Sequence, residues 1–206
     1  MDLFSVKTKA PTLVVVDDFL ENPDKVREFA ILHQFARKGS AGLRSVERYQ
    51  PFCSVFASLL HRNLWFDPPS SKSVSGVFQY CTAETPRVYH SDLQGWAGAL
   101  YLTPDPPPDS GLTLWRHKEL KLRYPPTVAD AEKLGMTKKE ASQKMYNKES
   151  LFDPEQWEQV DKIGNVYNRL VLWPGKHVHS ASSYFGETLE TARLFQVFFF
   201  EAQPGK

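Results

Sequence analysis

The chain has 206 residues, 41% hydrophobic and 24% charged, which is enough for one compact domain with a sizeable core. A formal net charge of +1 leaves no electrostatic footprint for nucleic acid or an anionic membrane. No apolar run approaches the roughly 20 residues that span a bilayer.

Met1–Lys7 lacks the charged and apolar regions of a signal peptide. The two cysteines, Cys53 and Cys81, make no disulfide framework, so both are expected as small buried hydrophobes in a reduced, cytoplasmic compartment. Fourteen Phe, eight Tyr and five Trp favour strands.

Pro11 to Phe19 reads as a strand around Val14-Val15-Val16. A helix follows, with Asn22 as N-cap, Pro23 at the first helical position and Asp24 in the first turn; it fades before Lys38-Gly39-Ser40-Ala41-Gly42. Phe52 to Leu64 reads as a second amphipathic helix, with Phe52, Val55, Phe56, Leu59 and Leu60 on one face. His33 and His61 in these segments read as packing or surface residues. Pro68-Pro69-Ser70-Ser71 breaks the chain, and from Ser73 the character turns to strand.

Val77 to Cys81, Trp96 to Thr103 and Leu112 to Trp115 are short strands, the last two separated by the proline-stiffened loop 104–111. Residues 117–164 are charged, and helix-prone from Val128 to Lys148 with Thr127 as N-cap; they read as an insertion or lid. Tyr167 to Trp173 and Arg193 to Phe200 are the closing strands. The expectation is one domain over 1–206, mainly β with packed helices. Residues 1–72 supply an N-terminal strand and helices, and 73–116 with 165–201 form a jelly-roll (double-stranded β-helix) core.

The chemistry gathers at Tyr89-His90-Ser91-Asp92. His90 and Asp92, two residues apart on an extended segment, point the same way. A second imidazole would complete a 2-His-1-carboxylate face, the set that holds non-haem Fe(II) and leaves positions open. His179 is the leading candidate, with His177 sharing its parity. Arg193 shares parity with Phe195, Val197 and Phe199. On an interior face it is a buried cation that needs an anion, and a carboxylate ligand would suit it.

The order HxD, distal His, then Arg resembles the Fe(II)/2-oxoglutarate-dependent oxygenases, in particular the prolyl-hydroxylase-like group. Ala99-Leu100-Tyr101-Leu102, Ser110-Gly111-Leu112-Thr113-Leu114-Trp115 and Asn168-Arg169-Leu170-Val171-Leu172-Trp173-Pro174 look like strands of that family. The opening Val14 to Phe19 with Asn22-Pro23 looks like the start of small bacterial members. The resemblance implies that His90, Asp92 and His179 hold Fe(II), with 2-oxoglutarate and O2 as cosubstrates. It implies that Arg193 and Tyr101 bind the far carboxylate of 2-oxoglutarate and that Tyr80 lines the same pocket. Phe195 stands where some members have a Ser two residues after the Arg, and Asp92 stands where related halogenases have a small residue, which favours hydroxylation or another oxidative outcome over halogenation.

The expected partner is a small-molecule substrate, an amino acid or a metabolite derived from one. Arg87, Gln94, Trp96, Trp115, Arg116 and His117 are expected around the pocket. No nucleic acid or membrane partner is expected, and the chain is expected as a monomer or homodimer. Alternatives are a peptidyl or prolyl hydroxylase, another metal enzyme on a cupin-like barrel, and a non-catalytic jelly-roll binding module.

Overall fold

Four strands carry the apolar runs that need burial on both faces, and they form the centre of the protein: β5 (Phe78–Cys81), β6 (Trp96–Tyr101), β9 (Leu170–Pro174) and β11 (Arg193–Ala202). The structure is a computed structural model that describes residues 11–36, 42–66 and 74–203. Expectations that fall on Met1–Lys7, on the break at Lys38–Ala41 and on Pro68–Ser71 lie outside these residues.

The fold is mainly antiparallel β with a few helices. The larger sheet runs β1 (Val14–Val16), β9, β6, β11, β5, β3 (Leu43–Ser45), β2 (Phe35–Ala36), and β4 (Leu64–Trp65) pairs the far end of β11. The smaller sheet runs β10 (His179–Ala181), β7 (Leu112–His117), β8 (Trp157–Ile163).

Alternation along β11 sorts the two sides of the large sheet. Phe195 and Val197, with Ala97, Ala99, Tyr101 and Val171, pack against Leu112, Leu114 and Ile163 of the small sheet. Leu194, Phe198 and Phe200 face the other way, with Leu100, Leu170 and Leu172. Ala30 of α1 (Pro23–Ile31) and Phe56 and Leu60 of α2 (Cys53–Leu60) complete that core. The site therefore lies between two sheets, and the N-terminal helices buttress the large sheet from behind.

Sequence signals place these helices closely. Pro23 opens α1 behind Asn22, whose side chain makes no capping bond. The expected second helix ends at Leu60 because His61 is left-handed (φ 51°), and the chain then pairs as β4.

The stretch 117–164 is more structured than an insertion. Its helical part is two helices, α3 (Val128–Lys133) and α4 (Lys138–Met145). Gly135 at φ +66° follows the end of the first, and Thr137 starts the second with a capping box to Glu140, as Thr127 does with Asp130. Its last part is β8, a full strand of the small sheet paired along β7. A third apolar cluster, Tyr89, Leu120, Met145, Trp157 and Val178, ties this stretch to the His90 loop and to the segment leading into β10. Among the described residues no helix is long and apolar enough to cross a membrane.

Candidate metal centre

His90 and His179 come together because their backbones pair. His90 N donates to His179 O at 3.1 Å and His179 N donates to His90 O at 2.8 Å, an isolated antiparallel bridge. His90 is therefore held on its extended segment by one rung. Asp92 N donates to Gly175 O at 2.7 Å, which fixes the carboxylate-bearing residue to the turn after β9. A Cβ at Gly175 would lie 2.6 Å from Gln94 O and 3.3 Å from Asp92 Cβ, so only glycine fits there.

The ligand atoms of His90, Asp92 and His179 all lie within 4.8 Å of one another. His179 Nε2 is 3.3 Å from Asp92 Oδ2, and His90 Nε2 is 3.8 Å from Asp92 Oδ1. Each imidazole turns Nδ1 to a carbonyl, His90 to Val88 O (3.0 Å) and His179 to His177 O (2.8 Å). A carbonyl only accepts, so Nδ1 carries the proton and Nε2 presents its lone pair to the cluster, the tautomer a metal-binding histidine needs.

The three groups perturb one another. The outer edge of the His90 ring reaches solvent (45% exposed), yet the protein packed about it and the neighbouring His179 ring hold its pKa down at about 4. Burial works against charge on His179, but the Asp92 carboxylate and its contact with the ring outweigh that and raise its pKa. Burial likewise works against ionised Asp92, and the two histidines overcome it, keeping the carboxyl below its usual range. Asp92 Oδ2 is buried without a hydrogen-bond partner, the condition of a carboxylate oxygen shaped for a cation. Two imidazoles that turn Nε2 inward beside an ionised carboxylate fit a divalent metal, whose charge would take the place of a proton on His179.

The cluster opens into a pocket between the sheets, part of it open to solvent. The same pocket is lined by Arg193, 4% exposed, with Nε donating to Ser110 O (2.7 Å) and Nη2 to Gly111 O (3.3 Å). Its guanidinium stands 4.2 Å over the Phe195 ring and 5.1 Å from that of Tyr101. Among the described residues no carboxylate lies within ion-pair distance of it. Tyr101 is fully buried, its hydroxyl has no hydrogen-bond partner, and burial pushes its pKa up against the pull of Arg193. A buried cation beside an orphaned hydroxyl fits a bound carboxylate.

Some expectations are corrected. Tyr80 does not line the pocket. It sits between Gln79 and Cys81 on β5, and alternation turns it to the opposite face, where its ring packs at 5.1 Å on Phe35. Of the residues expected around the pocket, none lines it. Trp96 is stacked on Phe200 behind the large sheet, His117 packs against Trp157, and Arg116 pairs with Glu158 at 2.8 Å. His177 stacks on Tyr124 and stays out of the cluster, so His179 is the residue brought to His90 and Asp92. No residue of 117–164 lines the pocket.

The lining also contains residues the sequence reading passed over: Arg44, Gln79, Trp173, Ser180 and Tyr184. The period-2 pattern of β5 could have pointed to Gln79. Nothing local marks Arg44, on a three-residue strand far upstream of the His90 loop.

This architecture is shared with solved structures of HygX from Streptomyces hygroscopicus. One, with nickel and 2-oxoglutarate bound, is 13% identical, with a TM-score of 0.50, over 92% of this chain and 82% of that one. Another, with nickel, 2-oxoglutarate and hygromycin B bound, is 12% identical, with a TM-score of 0.52 over the same shares. A prolyl hydroxylase from Trichoplax adhaerens, in complex with a peptide fragment of the hypoxia inducible factor oxygen degradation domain, matches at 8% identity and a TM-score of 0.44, over 92% of this chain and 83% of that one. For the two HygX structures, at 12–13% identity, the likeness is one of fold. A search of curated proteins finds no match. The DUF6445 family model, described as a family of unknown function, matches residues 80–191, more than half of the chain, and the chain belongs to that family. His90, Asp92 and His179 all fall inside the matched stretch, while Arg193 lies just beyond it.

Proposed function

We propose that this protein is a non-haem Fe(II)/2-oxoglutarate-dependent oxygenase, with the two facing sheets as a double-stranded β-helix in a single domain. The observation that carries the reading is the pairing of two features in one pocket: a His90, Asp92, His179 cluster within 4.8 Å and a buried Arg193 on the same lining. A metal site alone would not require a buried guanidinium, and a carboxylate anchor alone would not require the cluster.

His90, Asp92 and His179 would hold the metal. Arg193 and Tyr101 would hold the far carboxylate of 2-oxoglutarate. When bound, Fe(II) and 2-oxoglutarate supply the oxidising chemistry, in which O2 is consumed, 2-oxoglutarate is split to succinate and CO2, and a C–H bond of the substrate is oxidised. The chain's part is positioning and electrostatics. The Nδ1–H bonds of His90 and His179 to Val88 O and His177 O fix both rings. Leu112, Val197 and Phe199 give the pocket apolar walls that exclude water. Thr113 Oγ1 and Ser182 Oγ lie 2.7 Å apart and Trp115 Nε1 donates to Ser180 Oγ at 2.9 Å, so β10 is pinned to β7 by side chains as well as by its backbone. Hydroxylation of a small substrate, an amino acid or a derivative of one, is the outcome this reading favours.

The test is Fe(II)-dependent succinate release from 2-oxoglutarate, together with binding of Ni(II) and then 2-oxoglutarate by calorimetry. Wild type is expected to bind both and His90→Ala to lose Ni(II). A wild-type protein that binds neither ends the reading.

A further inference from the structure

Among the described residues, three side-chain atoms on the pocket lining are buried without a hydrogen-bond partner: Asp92 Oδ2, the Tyr101 hydroxyl and Trp173 Nε1. The first two have roles above and the third has none. An indole N–H only donates, so Trp173 calls for an acceptor. The residue is 6% exposed, and a buried donor left unmet is costly.

Its place in the large sheet shows which end of the pocket it serves. Along β9, Val171 and Trp173 turn to the small sheet, while Leu170 and Leu172 turn to the helices. Trp173 pairs with Ala97, and Ala97 pairs with Phe199 on its other side. Tyr101 stands four residues along β6 from Ala97, and Arg193 six residues along β11 from Phe199. At about 3.4 Å per residue, the Trp173 row lies about 13 Å from that of Tyr101 and about 20 Å from that of Arg193 along the strands. The indole is therefore remote from the anchor for the far carboxylate. It packs on a metal ligand instead, its ring 5.2 Å from that of His179 at 68°. Nδ1 of His179 is tied to His177 O, so the indole rests against a fixed neighbour.

An acceptor at this end belongs to a molecule held at the metal. Arg193 and Tyr101 take one end of 2-oxoglutarate, which leaves the keto-acid end for the metal. Its carboxylate is a charged acceptor, which makes the stronger bond with a single N–H. A substrate entering from solvent comes from the His90 side, which is open, whereas His179 and Trp173 are both buried.

We propose that Trp173 Nε1–H donates to the carboxylate at the keto-acid end of 2-oxoglutarate, which makes Trp173 a second binding residue for the cosubstrate, separate from the Arg193 anchor. This rests on the oxygenase reading. Calorimetry on Ni(II)-loaded protein compares 2-oxoglutarate with 2-oxopentanoate, which keeps the keto acid and lacks the far carboxylate. Trp173→Phe is expected to weaken both by the same factor, about 10-fold, and to keep the Ni(II) affinity of wild type.

The assignment is overturned if Trp173→Phe binds 2-oxoglutarate as wild type does, which would leave the N–H to the substrate or to the His179 ring. It is also overturned if the variant is weakened toward 2-oxoglutarate alone, or if it loses Ni(II), which would make the indole a prop for His179. A second measurement needs no variant. In wild type loaded with diamagnetic Zn(II), the Trp173 indole proton, assigned by NMR through its contacts with the His179 ring, should move downfield when 2-oxoglutarate is added. A signal that stays in place overturns the assignment even if Trp173→Phe misfolds. Wild type that takes up neither Ni(II) nor 2-oxoglutarate would instead sink the oxygenase reading, and this inference with it.

Discussion

Tyr101→Phe separates a residue kept for a ligand from one kept for the fold. The Tyr101 hydroxyl is buried in the large sheet with no hydrogen-bond partner. Leaving such a group unpaired costs about 1–3 kcal/mol, while removing one oxygen leaves a void that takes back part of the gain. The ligand-free variant should therefore be more stable than wild type by about 1 kcal/mol, raising its Tm by about 2–4 °C for a chain of this size. Binding should move the other way. A hydrogen bond to a charged oxygen contributes about 1.5–3 kcal/mol, so the Kd of Ni(II)-loaded protein for 2-oxoglutarate should rise about 10-fold or more. Thermal denaturation without ligand and calorimetric titration with 2-oxoglutarate measure the two effects separately. A variant that is less stable and binds 2-oxoglutarate as wild type does would show that the hydroxyl serves the fold and that its pairing with Arg193 was misread.

Other outcomes follow from the same geometry. Ser91, between two proposed ligands, is tied to α4 by a 3.0 Å bond between its Oγ and Tyr146 Oη; Tyr146→Phe should weaken Ni(II) binding about 10-fold with the fold intact, read by competition with a chelator. Gly175→Ala would drive a Cβ into Gln94 O and against Asp92, so it should abolish Ni(II) binding while circular dichroism stays near wild type. Asp17 Oδ1 and Oδ2 accept from Arg169 Nε (2.5 Å) and Nη2 (2.9 Å), which holds the Asp17 carboxyl below its usual pKa. A depressed carboxylate stabilises above its unfolded pKa of about 3.8 and ceases to as pH falls through the folded value. Asp17→Asn should thus lose at most about 1 kcal/mol at pH 7, because the pair is exposed, and the gap to wild type should close in strong acid; an equal gap at both pH values would contradict the assignment.

How much was legible from the chain depends on the range of the physics involved. The inward set Arg193, Phe195, Val197 and Phe199 was readable because alternation is a local rule, and all four line the pocket. The same rule, applied to β5, would have turned Tyr80 away from the site, since Gln79 and Cys81 flank it. The starts of α1, α3 and α4 were written in Pro23, Thr127 and Thr137, residues that act on the turn beside them. The split of α3 from α4 hung on Gly135, an equally local signal, and the early end of α2 on the left-handed His61.

The sequence by itself determined that His90 and Asp92 face one way, that a histidine follows a Pro-Gly turn, and that an arginine heads an apolar strand. Only the tertiary structure decided that His179 rather than His177 meets them, because that choice is made by a backbone rung between His90 and His179, 89 residues apart. It also decided that β8 belongs to the small sheet, and that Arg44 shares a pocket with Arg193 through two registers across three strands. Strand order and register are set by which faces are buried together, and that is a property of the whole packed chain that no single segment carries.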